Sequence, residues 1–192
     1  MNLRAAAAVL LALALALGGC SSGSGDTSHG PRHDSSARPA DVNDVDVMFT
    51  MMMIPHHEQA VEMSDILLAK DGVDPRVATL ARQIKAAQQP EIELMERWLQ
   101  DWGQPAHGGG GGMGHGDGMM SADDLAALEA ADGAAASPVF LQQMIAHHEG
   151  AIDMAQDAID GGSSDDVGEL ARAIVTTQTA EIRQMNELLD TL

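Results

Sequence analysis

The sequence predicts an all-α fold, an antiparallel four-helix bundle made of two repeated helical hairpins. A segment containing His-His-Glu occurs twice, at residues 53–63 and 144–154, and each copy precedes a Gln-x-x-Glu-Ile-x-x-Met segment, at residues 88–95 and 178–185. Such internal repetition indicates two like structural units. Apolar residues recur at helical spacing through these segments, and no stretch alternates as a strand would.

The chain begins with a pattern that is typical of exported proteins. Arg4 precedes an apolar run from Ala5 to Leu17 that is too short to span a membrane permanently. The only cysteine follows in Leu-Gly-Gly-Cys20, which resembles the lipobox of bacterial lipoproteins. We interpret residues 1–19 as a lipoprotein signal peptide and Cys20 as the lipidation site. The alternative is an ordinary signal peptide with an unused thiol.

Residues 20–40 are rich in Ser, Gly and Asp and show no apolar periodicity. This composition predicts a flexible tether, so the folded domain is expected over residues 41–192.

The first hairpin is predicted over residues 41–103. Its first helix is expected to cover residues 41–70, where apolar side chains recur at helical spacing. Asp74 followed by Pro75 is typical of an N-cap and the first helical position, and the second helix should run from there to Trp102-Gly103.

Two prolines, Pro55 and Pro90, lie inside these predicted helices, whereas the second copy has Ala146 and Ala180 at the matching positions. Because proline has no N–H and its ring clashes with the preceding turn, we expect a kink at both places. The alternative is that Pro55 begins the first helix, but the matched Phe49 and Phe140 favour the kink.

The hairpins are connected by a Gly/His/Met-rich loop, predicted at residues 104–120, and a short helix and linker at residues 121–136. The loop cannot build a core, and its imidazole and thioether groups favour capture of a soft metal over a plain linker. Its candidate ligands are His107, Met113, His115, Met119 and Met120.

The second hairpin is predicted over residues 137–192. Ser137-Pro138 should open its first helix, Gly161-Gly162 should close it, and Ser164 or Asp165 should cap the last helix.

The composition limits both the core and the partners. There are 2 Phe, 2 Trp, no Tyr and 13 Met, so aliphatic side chains and methionine must fill the core. A formal net charge of −19 argues against a nucleic-acid partner and is compatible with cations, although many exported domains are acidic only for solubility.

Hairpin geometry predicts a polar layer in the middle of the bundle. In an antiparallel pair, positions equidistant from the turn face each other, which sets the two histidine pairs level with Gln88, Glu91, Gln178 and Glu181. Methionines precede and follow each pair at helical spacing, so imidazole and thioether groups are expected together. This set suits copper, above all Cu(I). The candidate ligands in the helices are His56, His57, His147, His148, Met53, Met63, Met95, Met144, Met154, Met185, Glu91 and Glu181.

Other interpretations of the layer remain open. Histidines bonded to glutamates could serve only to fix the helix register. A zinc site is disfavoured because no cysteine ligand is available in the domain, and a di-iron site because too few inward carboxylates can be counted.

The repeated Met-Ile-x-His-His-Glu-x-Ala-x-x-Met pattern, with Gln-x-x-Glu-Ile-x-x-Met, resembles the ferritin-like bacterial family called domain of unknown function 305 (DUF305). The resemblance covers about residues 44–192 and implies an extracytoplasmic four-helix fold. It also implies copper or silver binding by the matching histidines and methionines, as described for some members, and no established enzymatic activity. Gly150 replaces Gln59, which implies a second half-site of different shape.

The favoured function is therefore a membrane-anchored, extracytoplasmic metal-binding protein that buffers or delivers copper or silver, or confers tolerance to it. The alternatives are a helical interaction or sensor module with a structural polar layer, and a ferritin-like redox enzyme. No catalytic residue is assigned. The predicted partners are metal ions and, through a lipid anchor, the membrane, and homo-oligomerisation is left open.

Overall fold

The computed structural model describes residues 38–105 and 118–192, and most of these residues lie in α-helices. The helices are α1 Asp44–Leu68, α2 Pro75–Asp101, α3 Ala122–Ala130, α4 Gly133–Gly161 and α5 Asp165–Leu189. Within the described ranges there is no strand, which confirms the all-α prediction. None of these helices is long and apolar enough to cross a membrane.

The long helices pair as predicted from the repeat. α1 packs on α2 and α4 packs on α5, while α1 and α4 hold the two hairpins together. The short helix α3 contacts both α1 and α4. The predicted signal peptide, Cys20 and most of the tether and of the glycine-rich loop lie outside the described residues.

Side-chain caps explain where the helices of the first hairpin and α3 begin. Asn43 and Asp46 form a capping box at α1, so the helix starts at Asp44 rather than residue 41. Asp74 caps α2 with Pro75 in the first turn, as predicted, and Ser121 caps the short helix α3. α1 ends at Leu68 instead of residue 70.

The predicted start of α4 is wrong. The helix begins at Gly133, because the Asp132 side chain accepts a hydrogen bond from Ala135 N–H and an alanine run follows. Pro138 therefore lies inside α4, where its missing N–H costs only one hydrogen bond near the helix start. Ser164 caps α5, which ends at Leu189 and not at Leu192.

Pro55 lies inside α1 and Pro90 inside α2, so neither begins a helix. Each removes the donor for the carbonyl four residues earlier, and the kinks expected from them stay predictions.

The apolar core consists of two clusters, one on each side of the repeated histidines. The first cluster includes Phe49, Met53, Met95 and Ile174. The second includes Met63, Phe140, Met144 and Met185 and also receives Leu128 of α3. Each cluster takes side chains from α1, α2, α4 and α5, so neither hairpin has a core of its own.

Two matching contacts join the ends of the hairpins. The fully buried Asp46 carboxylate in α1 accepts hydrogen bonds from the backbone N–H groups of Ser163 and Ser164 at the turn of the second hairpin. At the equivalent position of α4, the Ser137 hydroxyl accepts from Asp74 N–H at the turn of the first hairpin. The helix start in each hairpin therefore holds the turn of the other.

We predict that Asp46→Ala lowers the free energy of unfolding by about 2 to 4 kcal/mol, because it leaves buried backbone donors without an acceptor. Urea denaturation of the metal-free chain measures the change. Asp44→Ala is the matched control, since that side chain is 93% exposed and should affect stability little. Equal effects of the two substitutions would contradict the assigned role of Asp46.

Candidate metal centre

The four repeated histidines meet between the two apolar clusters. His56 and His57 on α1 and His147 and His148 on α4 are each at most 1% exposed. The ring centroids of His56 and His147 lie 3.7 Å apart with an interplanar angle of 36°. The motif's own glutamates, Glu58 and Glu149, are exposed and point away from this layer. The histidine layer therefore combines one histidine pair from each hairpin.

A glutamate from the second helix of each hairpin holds one histidine of each pair. His57 Nε2–H donates to Glu91 Oε2 at 2.7 Å, and His148 Nε2–H donates to Glu181 Oε2 at 2.8 Å. Because the carboxylate can only accept, it fixes the tautomer and leaves the lone pair on Nδ1. Both glutamates are partly exposed, at 25% and 13% of the side chain, so they close the layer from outside.

Several buried nitrogen and oxygen atoms of this layer have no hydrogen-bond partner among the described residues. They include Nδ1 of His57 and His148, both ring nitrogens of His147, and side-chain amide atoms of Gln88 and Gln178. Buried polar groups are normally satisfied, so such a concentration indicates a site for an ion or an ordered water. A cation that accepts imidazole lone pairs fits these nitrogens.

Burial lowers the pKa of His147 well below the usual value of an imidazole, and the neighbouring rings of His56, His148 and His57 lower it further. The ring is therefore neutral near pH 7. A neutral imidazole is the form that binds metal ions.

The predicted methionine ligands lie on both sides of the histidine layer. Met53, Met63, Met95, Met144 and Met185 are fully buried, whereas Met154 is only partly buried. Met53 and Met144 each stand three and four residues before a histidine pair, so helical spacing places them one turn away.

The end of the glycine-rich loop is fixed beside the layer. Gln59 donates through Nε2 to Met120 O at 2.9 Å and accepts from Met120 N–H through Oε1 at 2.7 Å. Gly118 has a φ of 74°, and a Cβ there would lie 2.6 Å from Ala146 O and 3.0 Å from Gly150 Cα. Met119 and Met120 are thus held near α1 and α4, while His107, Met113 and His115 lie outside the described residues.

This docking explains the difference between the two repeats. Gln59 clamps the backbone of the loop end, and the matching Gly150 gives room for Gly118. We did not predict this role of Gln59, although the mismatch between the repeats marks the position. It is a contact between distant segments, which helical periodicity cannot reveal.

The donor set favours a soft ion over a hard one. In residues 38–105 and 118–192, no group of three or more His, Cys, Asp or Glu side chains is arranged to hold a metal ion. Two imidazoles with neighbouring thioethers would form a smaller ligand set, and such a set suits Cu(I) or Ag(I).

Comparison with known proteins gives one family and several solved structures. The sequence profile of the family described as domain of unknown function (DUF305) matches residues 46–189. The crystal structure of a DUF305 fragment from Deinococcus radiodurans is 33% identical with a TM-score of 0.71, and it covers 79% of this chain and 99% of its own. A DUF305 protein from Streptomyces coelicolor is 34% identical with a TM-score of 0.71, covering 80% and 94%.

The third similar protein is CopM. Its Cu(II)-bound form is 33% identical with a TM-score of 0.67, and it covers 76% of this chain and 96% of its own. CopM is also similar in its Cu(I)-bound, Ag-bound and apo forms. No curated protein sequence matches the chain significantly.

We predict that the metal-free chain loses stability as the pH falls below about 6.5, the pKa of an imidazole in the unfolded state. In that range the unfolded chain binds a proton at His147 that the folded chain does not, so the free energy of unfolding falls by about 1.4 kcal/mol per pH unit for this group. Urea denaturation between pH 7.5 and 5.5 gives the slope. His147→Gln should reduce this slope by about 1.4 kcal/mol per pH unit, because it removes one group that takes up a proton on unfolding. An unchanged slope would contradict the lowered pKa of His147.

Proposed function

The chain belongs to the DUF305 family, and we propose that it is an extracytoplasmic metal-binding protein that holds Cu(I) or Ag(I) in its histidine layer. Metal binding is suggested by CopM, which is known in copper-bound and silver-bound forms. The observation that carries the proposal for this chain is the set of buried imidazole nitrogens without hydrogen-bond partners.

Each part of the layer has a role in this proposal. His56 and His147, whose rings are in contact between the hairpins, supply the central ligands. His57 and His148 stand beside them as alternative ligands, because Glu91 and Glu181 hold their Nε2 atoms and leave Nδ1 to the ion. A carboxylate bonded to the far side of an imidazole raises its basicity and orients it toward the metal.

The apolar surroundings favour a monovalent ion. The layer lies between two clusters of aliphatic side chains and methionine, where a divalent charge would cost more desolvation energy than a single charge. Thioethers of Met53 and Met144 are neutral soft donors within one helical turn of the histidines.

The leader sequence supports a place outside the cytoplasm. With Cys20 lipidated and residues 20–40 as a tether, the domain would buffer or pass on copper at the membrane surface. The net charge of −19 would attract cations to it.

We predict that the double variant His56→Gln/His147→Gln binds Cu(I) at least about 100-fold more weakly, because two central ligands are removed. Anaerobic competition of the full chain with a chromophoric Cu(I) chelator measures the affinity. His29→Gln/His33→Gln is the matched control, since it removes two histidines of the predicted tether and leaves the layer and the loop intact. Unchanged affinity in the first variant would leave the layer with a structural role only.

We further predict that Glu91→Gln weakens Cu(I) binding by roughly 10- to 100-fold, since it removes the charge that orients and polarises His57. Glu93→Gln on the same helix is exposed and should have no effect. The same chelator competition serves for both. If the two variants bind alike, Glu91 does not support the site.

A further inference from the structure

A groove on the surface between the start of α1 and the end of α4 combines thioethers with carboxylates. Its volume is about 660 Å³, and its lining includes Met48, Met52, Met154, Asp44, Asp157 and Asp160. Phe49 and Ala158 form part of its wall. None of the four layer histidines lines it, so this groove is separate from the metal centre described above.

The methionines of this groove are unusually accessible. Met48 is 49% exposed, and Met52 and Met154 are partly buried, whereas Met53 and Met144 beside the histidines are fully buried. The two kinds of methionine therefore differ in environment. The groove methionines are open to solvent, whereas the side chains of the layer are buried.

The groove and the histidine layer lie along the same faces of α1 and α4. Met48, Met52 and His56 follow one another at intervals of four residues, which places them on one stripe of α1 with about one helical turn between neighbours. Exposure falls along this stripe from the half-exposed Met48 to His56 at 1%. On α4, Met154 lies seven residues after His147 and so shares its face.

The charges around the groove favour a cation. Arg38 binds the Asp44 carboxylate at 2.6 Å, so the negative charge comes from the exposed Asp157 and Asp160. The groove is lined by the C-terminal end of α4, whose last turn contains no basic residue. Carboxylates at the rim of a groove raise the local concentration of cations.

We propose that this groove is a capture site at which the thioethers of Met48, Met52 and Met154 bind a soft monovalent cation and pass it to the histidine layer. The inference rests on the proposed function and adds the place where the ion is taken up. Neutral thioethers discriminate against hard cations. They also bind more weakly than imidazoles joined to carboxylates, so the ion moves on toward the layer.

The test uses Ag(I) in chloride-free buffer with the full, metal-free chain labelled with ¹³C at its methionine methyl groups. We expect the methyl signals of Met48, Met52 and Met154 to shift once Ag(I) is added in excess of the amount that fills the histidine layer. They should also shift in His56→Gln/His147→Gln, where the histidine layer no longer competes. Because each signal reports one residue, binding elsewhere in the chain does not interfere.

The second measurement is the rate at which Ag(I) reaches the layer, followed by the histidine ring signals after rapid mixing. Met48→Leu/Met52→Leu keeps apolar volume and removes the sulfur atoms, and it should slow loading at least about tenfold while the layer still fills. Met51→Leu is the matched control, because Met51 lies on the same helix and packs against the first cluster outside the groove. Its loading rate should equal that of the unchanged chain.

Two failures are distinguishable. If the three groove signals stay in place when Ag(I) is in excess over the filled layer, or if the double leucine variant loads at the normal rate, the capture site is wrong and the proposed function stands. If Ag(I) leaves the histidine ring signals of the unchanged chain unaltered, the proposed function is wrong and the inference is overturned with it.

Discussion

The burial of four imidazoles in the middle of a helical core is the constraint on which the rest of the structure depends. These rings interrupt the apolar packing, so the core is divided into two clusters that must each be stable beside a polar layer. Buried polar groups without partners are costly, and Glu91 and Glu181 satisfy only one nitrogen of each of two histidines. A bound soft cation would satisfy the remaining lone pairs, which links metal binding to the stability of the fold.

The ends of the two hairpins are joined by equivalent contacts that different residues make. Asp46 and Ser137 occupy matching positions, and each accepts a hydrogen bond from the backbone at the turn of the opposite hairpin. One uses a carboxylate and the other a hydroxyl. The two hairpins thus make equivalent contacts, although the residues at the matching positions differ.

The all-α class, the pairing of helices and most of the helix starts could be predicted from the sequence, because helical periodicity and N-cap chemistry are local properties. The distance from each turn also predicted that Glu91 and Glu181 lie level with the histidine pairs, although it did not predict which histidine each glutamate contacts. The start of α4 was mispredicted because Ser137-Pro138 is typical of a helix start, while Asp132 provides an earlier cap. The docking of Gly118 on α4 and the groove at Met48 depend on contacts between distant segments, which no periodicity within one helix encodes.

The division of the core has a consequence for how the domain is assembled. Because both clusters draw side chains from both hairpins, a single hairpin would expose half of each cluster and one unpaired set of histidines. The two hairpins of one chain therefore pack together as two subunits of a dimer would. Each half therefore completes the core of the other, and the histidine layer lies within the same interface between them.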